Sequence, residues 1–414
     1  MSRGLARGTA VALLATALAA CGGGDGSGGG TSGSGTGTGG ESRELTFWMY
    51  QDRTPQAGQV IERIRRDFER ANPGVTVKLV KIPKDDYNTK LGSALAGGSA
   101  PDAGILDQPL VSKYALDGTI EEVPAGLIDE AGYYRGALDT NRAGGKLYGL
   151  PQDQTTVALF YNRRLVPAPP KTWDELKQAA ARVHAADPDV AGMNVPKGDG
   201  YGAWMFPGVV HGAGGAMVDD AAKKVLFDQP PAVEALQLWV DLQKSSPRAI
   251  TDSDKPFENG RAAMTISGPW DVPTIKEQFP DLDFGVAPLP YKTEPAGNIG
   301  GENSVVFSTS DDPDLAWKWL AFLAGPDHNG AVADALGGFP VHLKARVVAG
   351  GPEQAAFLEQ LKVARARPAV PQWIQVNDEI IAPAIESALT GRATARQALA
   401  DAAARTRSLL GWTG

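Results

Sequence analysis

Leu45-Thr46-Phe47-Trp48-Met49-Tyr50 alternates in the two-residue period of a strand. An amphipathic helix follows, with Ile61, Ile64 and Phe68 on one face, and Asn72-Pro73-Gly74 breaks it. Val75-Thr76-Val77-Lys78-Leu79-Val80 reads as the next strand. Tyr87, Leu91 and Leu95 make a second helical stripe, and Pro101-Asp102 leads into the short apolar run Ala103 to Leu106. A β-α-β-α-β order of this kind predicts a mainly parallel sheet covered by helices.

Downstream, the pattern repeats in a second α/β unit. Thr172 and Glu175 fit a capping box for a helix with Leu176 and Val183 on its inner face. Pro230-Pro231 starts another, marked by Val233, Leu236 and Val240. Ala262 to Ile266, Phe284 to Ala287 and Ser304 to Ser308 are strand candidates. A helix from Pro313 carries Leu315, Trp319 and Leu323, and the chain closes with helices around Glu379 to Leu389 and from Thr394 to Leu410.

Upstream, Arg3 and Arg7 precede an apolar run from Thr9 to Ala20, too short for a bilayer span but suited to a secretory signal. It ends in Leu18-Ala19-Ala20-Cys21, which resembles the lipobox of bacterial lipoproteins. That resemblance implies cleavage of residues 1–20 and lipid on Cys21, anchoring the chain to the outer face of the bacterial cytoplasmic membrane. Residues 22–40 are almost all Gly, Ser and Thr, a flexible tether, so residues 21–42 read as anchor and leash. The G-x-G-x-x-G spacing inside it follows no strand and carries no nucleotide meaning.

Composition narrows the rest. Cys21 is the only cysteine, which excludes an intrachain disulfide and a thiolate metal site. His184, His211, His328 and His342 stand far apart with no metal spacing, so no metal and no cofactor are expected. A net charge of -8 argues against nucleic acid as partner. The roughly 370 residues past the tether exceed what one core organises, so two lobes are expected.

At this point several blocks, in order, resemble the sugar-binding solute-binding proteins of ABC transporters, the family that includes maltose-binding protein. Phe68 to Val75 resembles its helix-to-strand turn, and Pro101-Asp102-Ala103 through Asp107 to Ala115-Leu116-Asp117-Gly118 its next block. Gly145 to Pro151, Phe160-Tyr161-Asn162-Arg163 and Thr172 to Leu176 match closely. Phe257 to Met264 with Ser267-Gly268-Pro269-Trp270 follow, then Gly300-Gly301-Glu302, Ala316 to Leu320, and Arg367-Pro368 with Pro371-Gln372-Trp373. The resemblance implies a two-lobed, type II periplasmic-binding-protein-like α/β fold, each lobe a mainly parallel sheet flanked by helices. It puts residues 43–153 plus 303–345 in the first lobe and 155–300 plus 346–414 in the second, with crossovers near Asp153, Gly301 and His342. It implies a monomer that holds a sugar in the cleft and passes it to membrane permease subunits, with no catalysis.

A pyranose has hydroxyls at its rim and an apolar C–H face, so its site needs planar polar edges and aromatic rings. Trp270 follows Gly268-Pro269 after an apolar strand and is expected to project into the cleft; the alternative is core packing. Trp48 and Tyr50 share a face at a strand's carboxyl end, followed by Gln51 and Asp52. Asp107 and Gln108 hold a similar position, with helix capping as the alternative. Gln152-Asp153-Gln154 and Glu302-Asn303 stand at crossovers, and Trp204 and Trp373 are further stacking candidates. Trp173, Trp239 and Trp319 sit at helical core spacing. Two rival readings stay open: a binding protein for a non-sugar solute, such as a polyamine, phosphodiester or metal chelate, and an exported carbohydrate-active enzyme. No nucleophile elbow, zinc motif or P-loop supports the second.

Overall fold

A computed structural model of the protein describes residues 42–51, 55–347 and 350–413. The signal, Cys21, the tether and Asp52 lie outside the described residues.

Strand β1 (Arg43–Tyr50), helix α1 (Pro55–Ala71), β2 (Val75–Ile82), α2 (Lys84–Ala96) and β3 (Ala103–Asp107) form as the periodicities predict. β1 runs parallel to both β2 and β3. Its alternation buries Leu45, Phe47 and Met49, while α1 buries Ile61, Ile64 and Phe68 over the sheet. Gly74 makes the tight return from α1 with φ of 87°. Two later segments complete the first sheet, β4 (Leu150–Pro151) and β8 (Glu302–Val306), in the order β2-β1-β3-β8-β4. β8 is antiparallel to both of its neighbours.

The second sheet contains β5 (Ala158–Asn162), β6 (Met264–Ser267) and β7 (Phe284–Ala287). It departs from the mainly parallel expectation, because central β5 pairs antiparallel with both β6 and β7. The physical reason is the direction of entry. β5 comes straight from the first lobe and starts at the cleft, whereas β6 and β7 end there, Ser267 lying opposite Ala158. β8 reverses the first sheet in the same way, Glu302 lying opposite Asp107. The bridges Ala191 to Ala262 and Asn194 to Thr265 are parallel, so β5 is the reversed member.

Alternation along β5 feeds a core on each face of this sheet. Leu159 joins Phe206, Trp239, Trp373, Ile381 and Leu399 on one side. Phe160 joins Phe257, Phe284, Phe339 and Phe357 on the other. The first sheet has its own core, with Phe47, Phe68, Leu106, Phe307 and Trp319 among its members. The first sheet with its own core and the second sheet with a core on each face make two lobes. Trp173, Trp239 and Trp319 are buried, as their spacing predicts. Thr172 caps α3 (Trp173–Ala186) by accepting the Glu175 amide at 3.3 Å, while the Glu175 carboxylate reaches the Lys171 amide at 2.7 Å. Near the end of the chain a π-helical turn, Val376–Ile381, precedes helix Ala382–Leu389, where the periodicity predicts one helix.

Candidate functional site

The strand ends described above converge on a cavity of about 610 Å³. That lies within the usual range for small-ligand sites, about 300–1,000 Å³. One wall is polar. β1 brings Tyr50, β3 brings Asp107, and the chain leaving β4 and entering β8 brings Asp153 and Glu302. Asp153 accepts the Glu302 amide at 2.7 Å, tying the two crossovers together. Gly301 between them adopts φ of 126°, and its bare Cα lies against the Asp153 carbonyl where a side chain would overlap. Glu302 accepts the Tyr50 hydroxyl at 3.1 Å and the Lys84 ammonium at 3.2 Å. Burial, followed by the charges of Glu302 and Asp107, pushes the Tyr50 hydroxyl well above its ordinary range, so it stays a donor. Burial alone would raise Asp107, but the Arg367 guanidinium beside it more than offsets this and holds the carboxyl below its usual value.

The opposite wall is aromatic. Asp199 accepts the Gly202 amide at 2.8 Å and so starts helix α4 (Gly200–Gly212) at the cleft. Tyr201 and Trp204, three residues apart on that helix, share a face. Their rings stack with centroids 5.8 Å apart and planes 13° apart. Trp270, turned back over Gly268 by the Gly-Pro corner, stands 6.3 Å from Tyr201. The π-helical turn adds Asn377 and Asp378, Asn377 donating to the Gly200 carbonyl at 3.0 Å and to Asp378 at 2.7 Å. Rings that can stack on a C–H face and carboxylates that can accept from hydroxyls, lining one cavity, are what a polyhydroxylated ring requires.

Of the candidates from the sequence, Trp270, Glu302, Asp153, Asp107, Tyr50, Trp204 and Trp373 line this cavity. Trp373 is buried and also packs in the second core. The remaining candidates sit elsewhere. Trp48 packs against the first core, and its carbonyl accepts the Tyr87 hydroxyl at 3.2 Å. Gln51 is exposed beside a separate small void. Gln108 is buried, with its amide bonded to the Arg367 peptide. Gln152 is buried, Gln154 donates to the Pro340 carbonyl at 2.8 Å, and Asn303 accepts from Asn141 at 2.6 Å. Tyr201, Lys84, Arg367, Asn377 and Asp378 were not singled out from the sequence. Arg367 stood in a block already noted, and Tyr201 lay at helical spacing from Trp204.

Two cored lobes around a cavity lined by rings and carboxylates are the architecture of a solute-capturing protein. A profile of the bacterial extracellular solute-binding protein family matches residues 63–356, and the chain belongs to that family. Among solved structures, the cyclic alpha-maltosyl-1,6-maltose binding protein of Arthrobacter globiformis aligns at TM-score 0.79 and 27% identity, covering 89% of this chain and 98% of that one. The GacH receptor of Streptomyces glaucescens, solved unliganded and with acarbose, aligns at TM-score 0.76 and 26% identity, covering 89% and 99%. The maltodextrin-binding protein MdxE of Bacillus subtilis is 26% identical over 340 residues, 77% of this chain and 79% of its own length. Among the described residues no helix is long and apolar enough to cross a membrane, and no group of side chains has metal-site geometry.

Proposed function

We propose that this protein captures a di- or oligosaccharide between its lobes for an ABC importer. One observation carries the reading: Tyr201, Trp204 and Trp270 form a ring platform that lines the same cavity as Asp153 and Glu302. Sugar faces stack on the rings while hydroxyls bond the carboxylates, Tyr50 and Asn377. Relatives named for maltodextrins and a cyclic maltosyl sugar favour an α-linked glucan. Phosphate esters, one rival class of solute, would meet the carboxylates of Asp153, Glu302 and Asp378. An amine could use the same carboxylates and rings, and it is the relatives that favour sugar over amine. Residues 43–153 plus 303–345 serve as the first lobe and 155–300 plus 346–414 as the second, closing by hinge motion at the crossovers. The closed monomer docks on permease subunits, and lipid on Cys21, with the tether, keeps it at the outer membrane face.

The test is a thermal-shift screen over maltose, maltotriose, longer maltodextrins and cyclic maltosyl-maltose, with spermidine and glycerol phosphate alongside. A ligand at 100 times its Kd adds about 2.7 kcal/mol, a shift of several degrees. A shift with the glucans alone supports the reading. A shift with the amine or the phosphate ester alone reverses the solute class, and sugar turnover in the same tubes favours an enzyme.

A further inference from the structure

Arg367 is joined to both walls of the cleft. Its side chain is only 4% exposed, and its two terminal nitrogens fork onto the Asp107 carboxylate, one of them at 3.1 Å. Its peptide is held as well: the amide donates to Gln108 Oε1 at 3.2 Å and the carbonyl accepts Gln108 Nε2 at 2.8 Å. Asp107 and Gln108 follow Ile105 and Leu106 of the first core, whereas Arg367 precedes Val370 and Trp373 of the second. The guanidinium lies over the Trp204 ring, 5.8 Å from its centroid. A single buried cation therefore connects a first-lobe carboxylate to the second-lobe ring platform.

We infer that Arg367 is a positioning residue: with Asp107 it clamps the lobes together and holds Trp204 opposite the polar wall, biasing the ligand-free protein toward the closed arrangement. Fork geometry makes the contact directional, and Lys cannot reproduce it. Opening the cleft pulls the carboxylate from the guanidinium and leaves Trp204 without its cap. Apparent affinity equals intrinsic affinity times the closed fraction, so loss of the clamp weakens capture beyond whatever contact Asp107 or Arg367 itself makes at the cavity wall. The affinity part rests on the sugar reading above; the conformational part does not.

The experiment compares ligand-free radii of gyration by small-angle scattering for the parent, Asp107→Asn, Arg367→Met, Arg367→Lys and the Asp107→Asn/Arg367→Met double variant. Circular dichroism checks the fold, and calorimetry with the best glucan reads affinity. Both single removals should enlarge the ligand-free particle, and saturating sugar should restore the parent radius. Affinity should fall at least tenfold, with Lys intermediate and the double variant little worse than either single one. Trp270→Ala serves as the contrast, losing affinity at unchanged ligand-free radius. Unchanged radii in folded Asp107→Asn and Arg367→Met, or affinity losses that simply add, overturn the clamp. Should Arg367→Met not fold, Asp107→Asn against Arg367→Lys decides on the same readouts. If no sugar binds the parent, the sugar reading fails while the scattering comparison still decides the clamp.

Discussion

Replacing Trp270 by Ala removes one panel of the ring platform. The ring is only partly buried, packed against the second core on one side and facing the cavity on the other. If a sugar covers roughly 80 Å² of its cavity side, the lost burial is worth about 2 kcal/mol at about 25 cal/mol per Å². Loss of stacking adds about 0.5–1.5 kcal/mol. Together they predict a Kd weakened roughly 60- to 300-fold, since each 1.4 kcal/mol is about tenfold. The assay is isothermal calorimetry with the glucan that gives the largest thermal shift, on protein whose circular dichroism matches the parent. Tyr201 and Trp204 are still stacked on each other in this variant, so residual binding should persist. An affinity within twofold of the parent would refute the assignment of Trp270 to the sugar face.

Gly301→Ala should lower the melting temperature by several degrees and weaken binding, because φ of 126° and the abutting Asp153 carbonyl leave no room for a side chain; differential scanning calorimetry checks it. Burial, with the Arg365 charge second, pushes His211 down to about 4 from 6.5. The unfolded chain therefore takes up that proton first, and stability should rise with pH between about 4 and 6.5 by roughly 3 kcal/mol. His211→Gln should flatten that part of the slope in melting curves collected from pH 4 to 7. Glu302→Gln should cost about tenfold in sugar affinity by calorimetry, since a charged acceptor facing the cavity becomes a neutral amide. Cys21→Ser should release the protein from the membrane fraction, read by fractionation and by loss of palmitate labelling.

Much of the fold was legible because burial imposes period on the chain. β1 to β3 and their helices follow directly from runs such as Phe47-Met49 and Ile61-Ile64-Phe68, each of which packs where its spacing points. Reversal of β5 was hidden, because direction depends on which lobe the chain arrives from, and a strand's alternation reads the same both ways. The site was legible where a local corner aims a side chain, as Gly268-Pro269 does for Trp270. Amide-rich crossovers misled for a physical reason. Strands that cross between lobes bury peptide groups that need partners, and Gln154 and Asn303 serve protein atoms, the Pro340 carbonyl and the Asn141 amide. Tyr201, Asn377 and Asp378 meet only because a helix start and a π-helical turn, 177 residues apart at the Asn377 to Gly200 bond, close on each other. Such a meeting leaves no local mark in the chain.

The most direct test is a crystal structure of the protein with the maltodextrin that shifts its melting most. A glucan ring lying flat on Trp270 or on the Tyr201–Trp204 pair, with hydroxyls bonded to Asp153 or Glu302, is the predicted result. A sugar bound outside the cleft, or in it without touching either wall, would contradict the account.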